Sequence, residues 1–335
     1  HTHPAKLFGV SAGISALVMV LILGARGVGA PGADFVLYVW KDVYIVVLIE
    51  IFWTYANSVF PVRSARWLYG LFLVAGTLGS VSGELSVGWI AENAGTQTAI
   101  WCVGGVLLVL AAGSLLLDRS GADGWVASEK AERASIKQSF SILKESRYVV
   151  LLLALIITTQ LVITLIDYQY NTLLETHYPD EDTRTKIGGQ VYAAISTTSL
   201  VLQVLAGVVL RLFGVPRTLL LVPMLLGVSV VGVLILPGFA IAAVGKASSK
   251  VFDYSIFRAA KELLYIPLSP REKTEGKALV DMFGYRFAKG GASLLILGLG
   301  LFASSGILTA VSVVCLLLLV VWIGITWRLV AGYSE

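Results

Sequence analysis

KASSKVFDYSIFRAAK, residues 246–261, lies in the middle of a hydrophobic segment, 239–266, that is long enough to cross a bilayer. It carries Lys246, Lys250, Asp253, Arg258 and Lys261. A charge at the bilayer centre costs about 2.5–3.5 kcal/mol on insertion scales, and such residues persist where they face protein or a water-filled cavity. Four cations and one acid within this run therefore read as the wall of a site for an anion. With 3.6 residues per turn, an unbroken helix would place Lys246, Lys250, Asp253, Phe257 and Lys261 on one face.

The rest of the chain suits the same solvent. Of its 335 residues 57% are hydrophobic and only 14% are charged, where a soluble domain has about 25% charged residues. This composition points to a polytopic membrane protein. Cys102 and Cys315 each lie inside an apolar span and read as free thiols, with no C-x-x-C site. His1, His3 and His177 are too scattered to build a metal site. The chain enters an apolar span within a few residues, without a Met or a signal peptide, and its start reads as a cut through a longer protein.

Ten apolar stretches approach the roughly 20 residues that span a bilayer. They lie at about 7–24, 34–58, 66–90, 97–117, 146–174, 186–211, 217–236, 239–266, 277–303 and 306–330. The polar stretch 118–145 separates four spans from six. With the N-terminus in the cytoplasm, Arg63, Arg66, Arg119, Lys130, Arg133, Lys137, Lys144 and Arg147 fall on the cytoplasmic side, as do Arg211, Arg217, Arg271, Lys273, Lys277 and Arg328. Only Arg26, Arg184 and Lys186 fall clearly outside, which satisfies the positive-inside rule. Four spans, a cytoplasmic linker and six spans match a six-plus-six carrier of the major facilitator type lacking its first two helices. The expected division is an N-terminal bundle over 1–117, a linker over 118–145 and a six-helix bundle over 146–335. In that register 34–58, 146–174 and 239–266 become the fourth, seventh and tenth helices, which line the cavity. They hold most of the deep charges: Lys41, Asp42 and Glu50; Asp167; and the basic cluster. Gly79-x-x-x-Gly83 and Gly290-Gly291 are expected to pack spans closely.

Three sets of stretches carry a family likeness. YSIFRAAKELLYIPL (254–268), KTEGKALVD (273–281) and RFAKGG (286–291) resemble Y-S-x-F-x-x-x-K-E-x-x-Y-I-P-L, K-x-x-G-K-A-x-x-D and a G-K-S-G-G-like turn of the ATP/ADP translocase family of plastids and obligate intracellular bacteria. FWTYAN (52–57), followed by SARWLYGLF (64–72), is similar to that family's F-W-x-x-A-N and A-K-R-F-Y-x-L-F. SFSILKESRYVVLLL (139–153) matches the entrance to its seventh helix. The likeness covers nearly the whole chain and is strongest over 250–291. Two departures stand out. Lys41 occupies the place of a family glutamate eleven residues before the F-W pair. LIDYQYN (165–171) stands where the family has L-V-E-x-x-W-K, so Asp167 keeps the acid and Asn171 replaces the lysine.

The candidate substrate-binding residues are Lys246, Lys250, Lys261, Asp167, Arg258, Arg286, Lys289, Lys41 and Glu50. Lysines hold a phosphate chain as point charges. The alternative is pairing within the bundle, Lys250 with Asp253 at i,i+3 and Arg258 with Glu262 at i,i+4. Two lysines at i,i+4, as at 246 and 250, repel unless an anion lies between them. Asp167 reads as a proton carrier or a gate partner for the lysines, or else as a polar residue bonded between helices. Lys41 and Asp42 also fit a solvated helix end, and Glu84, near the outer end of its span, takes the same reading. Arg286 and Lys289, one turn apart, would serve an inner gate or reach phosphate. Lys273 and Lys277 sit in a cytoplasmic loop, where they also work as topology signals. Tyr168, Tyr170 or Phe257 would stack on a base. Gly27-x-Gly29-x-x-Gly32 follows no strand and reads as an outer loop.

The expectation is an all-α carrier in a bacterial inner membrane that works by alternating access and exchanges nucleotides of the ATP/ADP type. The alternatives are a proton-coupled organic-anion symporter and a non-transporting membrane sensor or assembly protein. No P-loop is present, so ATP would be cargo rather than fuel, and no Ser-His-Asp or metal set is present, which argues against an enzyme; no cofactor is expected. The partners implied are an anionic small molecule and the lipid bilayer, with no nucleic acid, and the carrier is expected to act as a monomer.

Overall fold

The computed structural model describes residues 3–60, 62–120, 136–269, 272, 276–302 and 306–333. Among them every regular element is helical. The order is α1 (Pro4–Gly27), α2 (Ala33–Val59), α3 (Val62–Ala94), α4 (Thr96–Ser120), α5 (Ile136–Glu145), α6 (Arg147–His177), α7 (Glu181–Ile235), α8 (Phe239–Tyr254), α9 (Ile256–Leu264), α10 (Lys277–Leu279), a π segment (Val280–Gly284), α11 (Tyr285–Phe302) and α12 (Ile307–Tyr333). Helices suit a chain in lipid because every backbone N–H and C=O pairs within its own segment. Residues 121–135 of the polar stretch 118–145, with Lys130 and Arg133, lie outside the described residues, as do Arg271 and Lys273.

All ten apolar stretches fall within this helical frame. Six described helical segments are long and apolar enough to cross a membrane: Ala5–Gly27, Leu71–Ala94, Thr96–Arg119, Arg147–His177, Glu181–Ile235 and Ile307–Val330. The protein is an all-α polytopic membrane protein. Two physical causes separate six from ten. The 55-residue α7 holds two stretches, divided at Gly214, whose φ of 74° is open to glycine without a Cβ penalty. Pro216 follows two residues later and removes a helical donor. The remaining stretches are broken or interrupted by charge: Lys41, Asp42 and Glu50 in α2, the α8–α9 break, and Arg286 and Lys289 at the start of α11.

The chain divides into two compact units, His1–Gly79 with Trp89–Ala131, and Ser80–Gly88 with Glu132–Glu335. In the first, α1 packs on α2 and α4 through small side chains, with Ala12, Ala16, Met19, Leu48, Leu107 and Ala111 buried. Gly29 and Gly32 adopt φ of 71° and 82° in the turn before α2, the loop expected of that glycine pattern.

In the second unit α6 is the central helix. Its Val149, Leu152, Leu155 and Ile156 are buried in a core shared with Phe257, Val311, Cys315 and Trp322. Ser146 caps α6 by accepting from the Val149 N–H, and Asp180 caps α7 by accepting from the Thr183 N–H at 2.7 Å. The middle of α3 lies against α7 here. Glu84 Oε1 accepts from Ser80 and Ser196 at 3.0 Å each. An ideal Cβ on Gly189 would lie 2.5 Å from the Glu84 carbonyl oxygen. The close approach is thus made at Gly189. At Gly79, Gly83 and Gly290 an added Cβ would meet nothing within 4 Å among the described residues, and at Gly291 only Leu161 at 4.0 Å, so these glycines do not pack the spans as expected. Spacing alone cannot say which face of a helix meets a neighbour.

Candidate functional site

The basic segment is not one continuous helix. Ser255 adopts φ −116° and ψ −97°, which ends α8 and starts α9 in a new direction. The single face expected for Lys246, Lys250, Asp253, Phe257 and Lys261 is therefore divided. Lys246 and Lys250 stay together on α8, while Lys261 on α9 is turned to Tyr285, with its Nζ 3.4 Å from the phenol oxygen and 5.3 Å from the ring centroid.

Gly245 brings α8 close to its neighbours. An ideal Cβ there would lie 3.3 Å from Ser229 of α7 and 3.7 Å from Ile166 of α6. That approach sets Lys246 and Lys250 beside Asp167 on α6. Lys246 Nζ lies 2.8 Å from Asp167 Oδ1, and Lys250 Nζ lies 3.1 Å from Oδ2. One carboxylate bridges two ammonium groups, so the triad carries a net charge of +1. The Lys246 contact is an ion pair without hydrogen-bond alignment, since Asp167 Oδ1 has no hydrogen-bond partner by angle.

Tyrosines surround the pair. Lys246 Nζ lies 5.0 Å from the Tyr192 ring centroid and 5.6 Å from that of Tyr170, and Lys250 Nζ lies 6.0 Å from that of Tyr254. These distances suit cation–π attraction, which strengthens as water is excluded. Tyr170 is buried against Phe239, whereas Tyr192, on α7, is 38% exposed and offers ring surface to the outside of the cluster.

The pairing alternatives resolve differently from the sequence expectation. Lys250 takes Asp167, while Asp253 accepts from Gln160 Nε2 at 3.3 Å and lies within electrostatic reach of Lys250, Arg258 and Lys261. Glu262 pairs with Lys277 rather than Arg258, and Lys277 also lies over the Tyr265 ring at 5.1 Å. Phe257 is no stacking surface. It is 1% exposed and meets Trp322 edge-on in the core. Tyr168 is half-buried against that core.

The other candidates lie elsewhere. Arg258 is exposed on α9, and Arg286 and Lys289 are exposed on α11. Lys41 is exposed on α2, paired with Asp42 at 2.9 Å and 4.3 Å from the Tyr38 ring centroid. Glu50 is exposed on the same helix. Sequence reasoning missed Gln160, Tyr254 and Tyr192. Gln160 stands seven residues before Asp167 and Tyr254 four after Lys250, spacings that share a helix face. Tyr192 carried no local signal. No group of three or more His, Cys, Asp or Glu among the described residues could hold a metal ion.

Comparison with known proteins adds a family. The family profile described as TLC ATP/ADP transporter matches residues 116–333. ADP,ATP carrier protein 1 of Chlamydia pneumoniae is 24% identical over 336 residues, covering 85% of this chain and 64% of that protein. ADP,ATP carrier protein 1 of Chlamydia trachomatis serovar D is 24% identical over 306 residues, covering 79% and 58%. ADP,ATP carrier protein 3 of Rickettsia bellii is 22% identical over 355 residues, covering 89% and 70%. The chain thus spans about three-fifths of the length of the Chlamydia proteins it matches.

Proposed function

The chain belongs to the TLC ATP/ADP transporter family, and we propose that it exchanges nucleotides of the ATP/ADP type across a bacterial inner membrane by alternating access. The observation that carries this reading is the lysine pair at 246 and 250, held beside Asp167 and three tyrosines inside a membrane bundle. A phosphate chain supplies the negative charge that two close ammonium groups lack, and low dielectric around buried Lys246 strengthens that attraction. Tyr192 offers the exposed ring for a base. Lys261 extends the cationic wall past the Ser255 break, and Arg258, Arg286, Lys289, Lys41 and Glu50 act in recruitment or gating at exposed positions.

Exchange follows from the charge balance. An empty carrier, whose lysine pair shares the single Asp167 carboxylate, must pass a closed state with one positive charge of the triad unmatched, at a cost of several kcal/mol. A bound polyanion removes that cost on both legs of the cycle. The carrier works as a monomer.

A thermal-shift screen of the purified protein with ATP, ADP, inorganic phosphate and dicarboxylates tests the reading, because a ligand stabilises the state it binds. Stabilisation by ATP and ADP above phosphate and dicarboxylates is expected. Stabilisation by dicarboxylates alone would overturn it.

A further inference from the structure

We propose that Asp167 is a built-in competitor for the substrate, a carboxylate that occupies the place of a phosphate between Lys246 and Lys250 and leaves it when an anion binds. The inference rests on the anion-binding reading of this site and adds how the site is held when empty. Three observations carry it.

First, Lys246 has no open approach. Its side chain is 2% exposed, that of Lys250 is 13% exposed, and that of Asp167 is 24% exposed. The Asp167 side chain is the most accessible of the three, although its Oδ1 is buried against Lys246, and its carboxylate lies against both ammonium groups. A phosphate that is to touch both lysines must take its position.

Second, Asp167 is held by the two cations. Lys250 pairs with and hydrogen-bonds the carboxylate through Oδ2, and Oδ1 lies against Lys246 with no aligned hydrogen bond among the described residues. Asp253, one turn along α8 from Lys250, is instead anchored by the Gln160 amide at 3.3 Å. A carboxylate fixed by neutral donors would keep its place when an anion arrived. One fixed only by two cations is released when another anion satisfies those cations.

Third, the chemistry of the two anions matches. Carboxylate and phosphate each present adjacent oxygens to two donors, and a polyphosphate brings more charge than one carboxylate, so it wins the exchange. No covalent step or net proton transfer is needed. In the empty site the bridge leaves buried Lys246 with a counterion, which keeps the unloaded bundle folded. In the loaded site the freed carboxylate swings toward its exposed side.

The test uses the reconstituted protein with inorganic pyrophosphate as the probe, followed by calorimetry and by infrared difference spectra of protein labelled with 13C at the aspartate carboxylates. Asp167→Glu assigns the Asp167 band. We expect pyrophosphate to shift that band in wild type as the carboxylate leaves the lysines. We also expect Asp167→Asn to bind pyrophosphate about tenfold tighter or more, since the competitor is gone, while Asp167→Glu stays near wild type. An unshifted band, or an Asp167→Asn affinity equal to or weaker than wild type, overturns the inference. If Asp167→Asn does not fold, the wild-type band decides. Lys246→Met and Lys250→Met separate this inference from the function on which it rests. If they abolish binding while the Asp167 band stays still, only the competitor role fails. If wild type binds neither pyrophosphate nor ATP, the proposed function fails with it.

Discussion

Lys246 on α8 and Asp167 on α6 approach to 2.8 Å, although Lys246 is 1% exposed and stands 79 residues away in the chain. A lysine buried this far inside a membrane bundle is tolerated only with a partner, because its desolvation costs several kcal/mol. The pair therefore ties Lys246, a candidate binding residue, to the stability of the bundle.

That coupling is measurable. Asp167→Ala strands Lys246 and is expected to destabilise the protein by about 3–5 kcal/mol. Asp167→Ala with Lys246→Met removes both charges and is expected to be less destabilised than the single variant. Denaturation of the four members of this cycle gives the coupling, expected at about 0.5–3 kcal/mol. Additive losses would show that the two residues do not act as a pair.

Lys250→Ala is expected to weaken anion binding by about tenfold or more, and Lys277→Ala by less than about threefold. Lys250 lies in the triad, whereas Lys277 is partly exposed and engaged with Glu262 outside it. Affinity for ADP, measured in detergent for both variants, checks the contrast; equal losses would contradict the assignment.

Gly189→Ala is expected to lower the unfolding temperature by several degrees, while Gly79→Ala leaves it nearly unchanged. A methyl group at 189 would meet backbone at 2.5 Å, the Glu84 carbonyl oxygen, and backbone does not yield as a flexible side chain does. The methyl group at 79 meets nothing within 4 Å among the described residues. Thermal denaturation of the two variants decides.

Asp180, at the start of α7 and outside the spans, has its carboxyl held below the usual range, first by the Thr183 hydroxyl and then by the Thr183 N–H, at 2.6 and 2.7 Å. A depressed folded-state pKa contributes stability above the unfolded pKa and loses it as pH falls through the folded one. The stability gap between wild type and Asp180→Ala is therefore expected to be full at neutral pH and to close below about pH 4. Thermal denaturation across that range checks the sign; a gap that widens on acidification would contradict it.

How much of this was legible before the structure depends on the range of the signal. Asp167, Lys246 and Lys250 stood out because a charge in a long apolar run is conspicuous in one dimension. The helical frame was legible for the same reason, since lipid leaves the backbone few choices. What stayed hidden was three-dimensional. The break at Ser255 comes in a stretch with no Gly or Pro near it, so nothing local warned that Lys261 would leave the face of Lys246. The partner of Glu262 turned out to be Lys277, fifteen residues on, rather than Arg258 one turn away, a pairing that helical spacing does not reveal. Tyr192 reaches Lys246 from another helix, and only the packing of α7 on α8 reveals it. The glycine pairs misled because small residues mark a possible contact, while Gly189 marks an actual one.

The central claim is obligatory exchange of nucleotides driven by the charge of the lysine site. Its most direct measurement is uptake of labelled ATP into liposomes that contain the protein, with and without unlabelled ADP inside. The account predicts strong acceleration by internal ADP and loss of that acceleration in Lys250→Ala. Equal uptake into empty and ADP-loaded liposomes would contradict it.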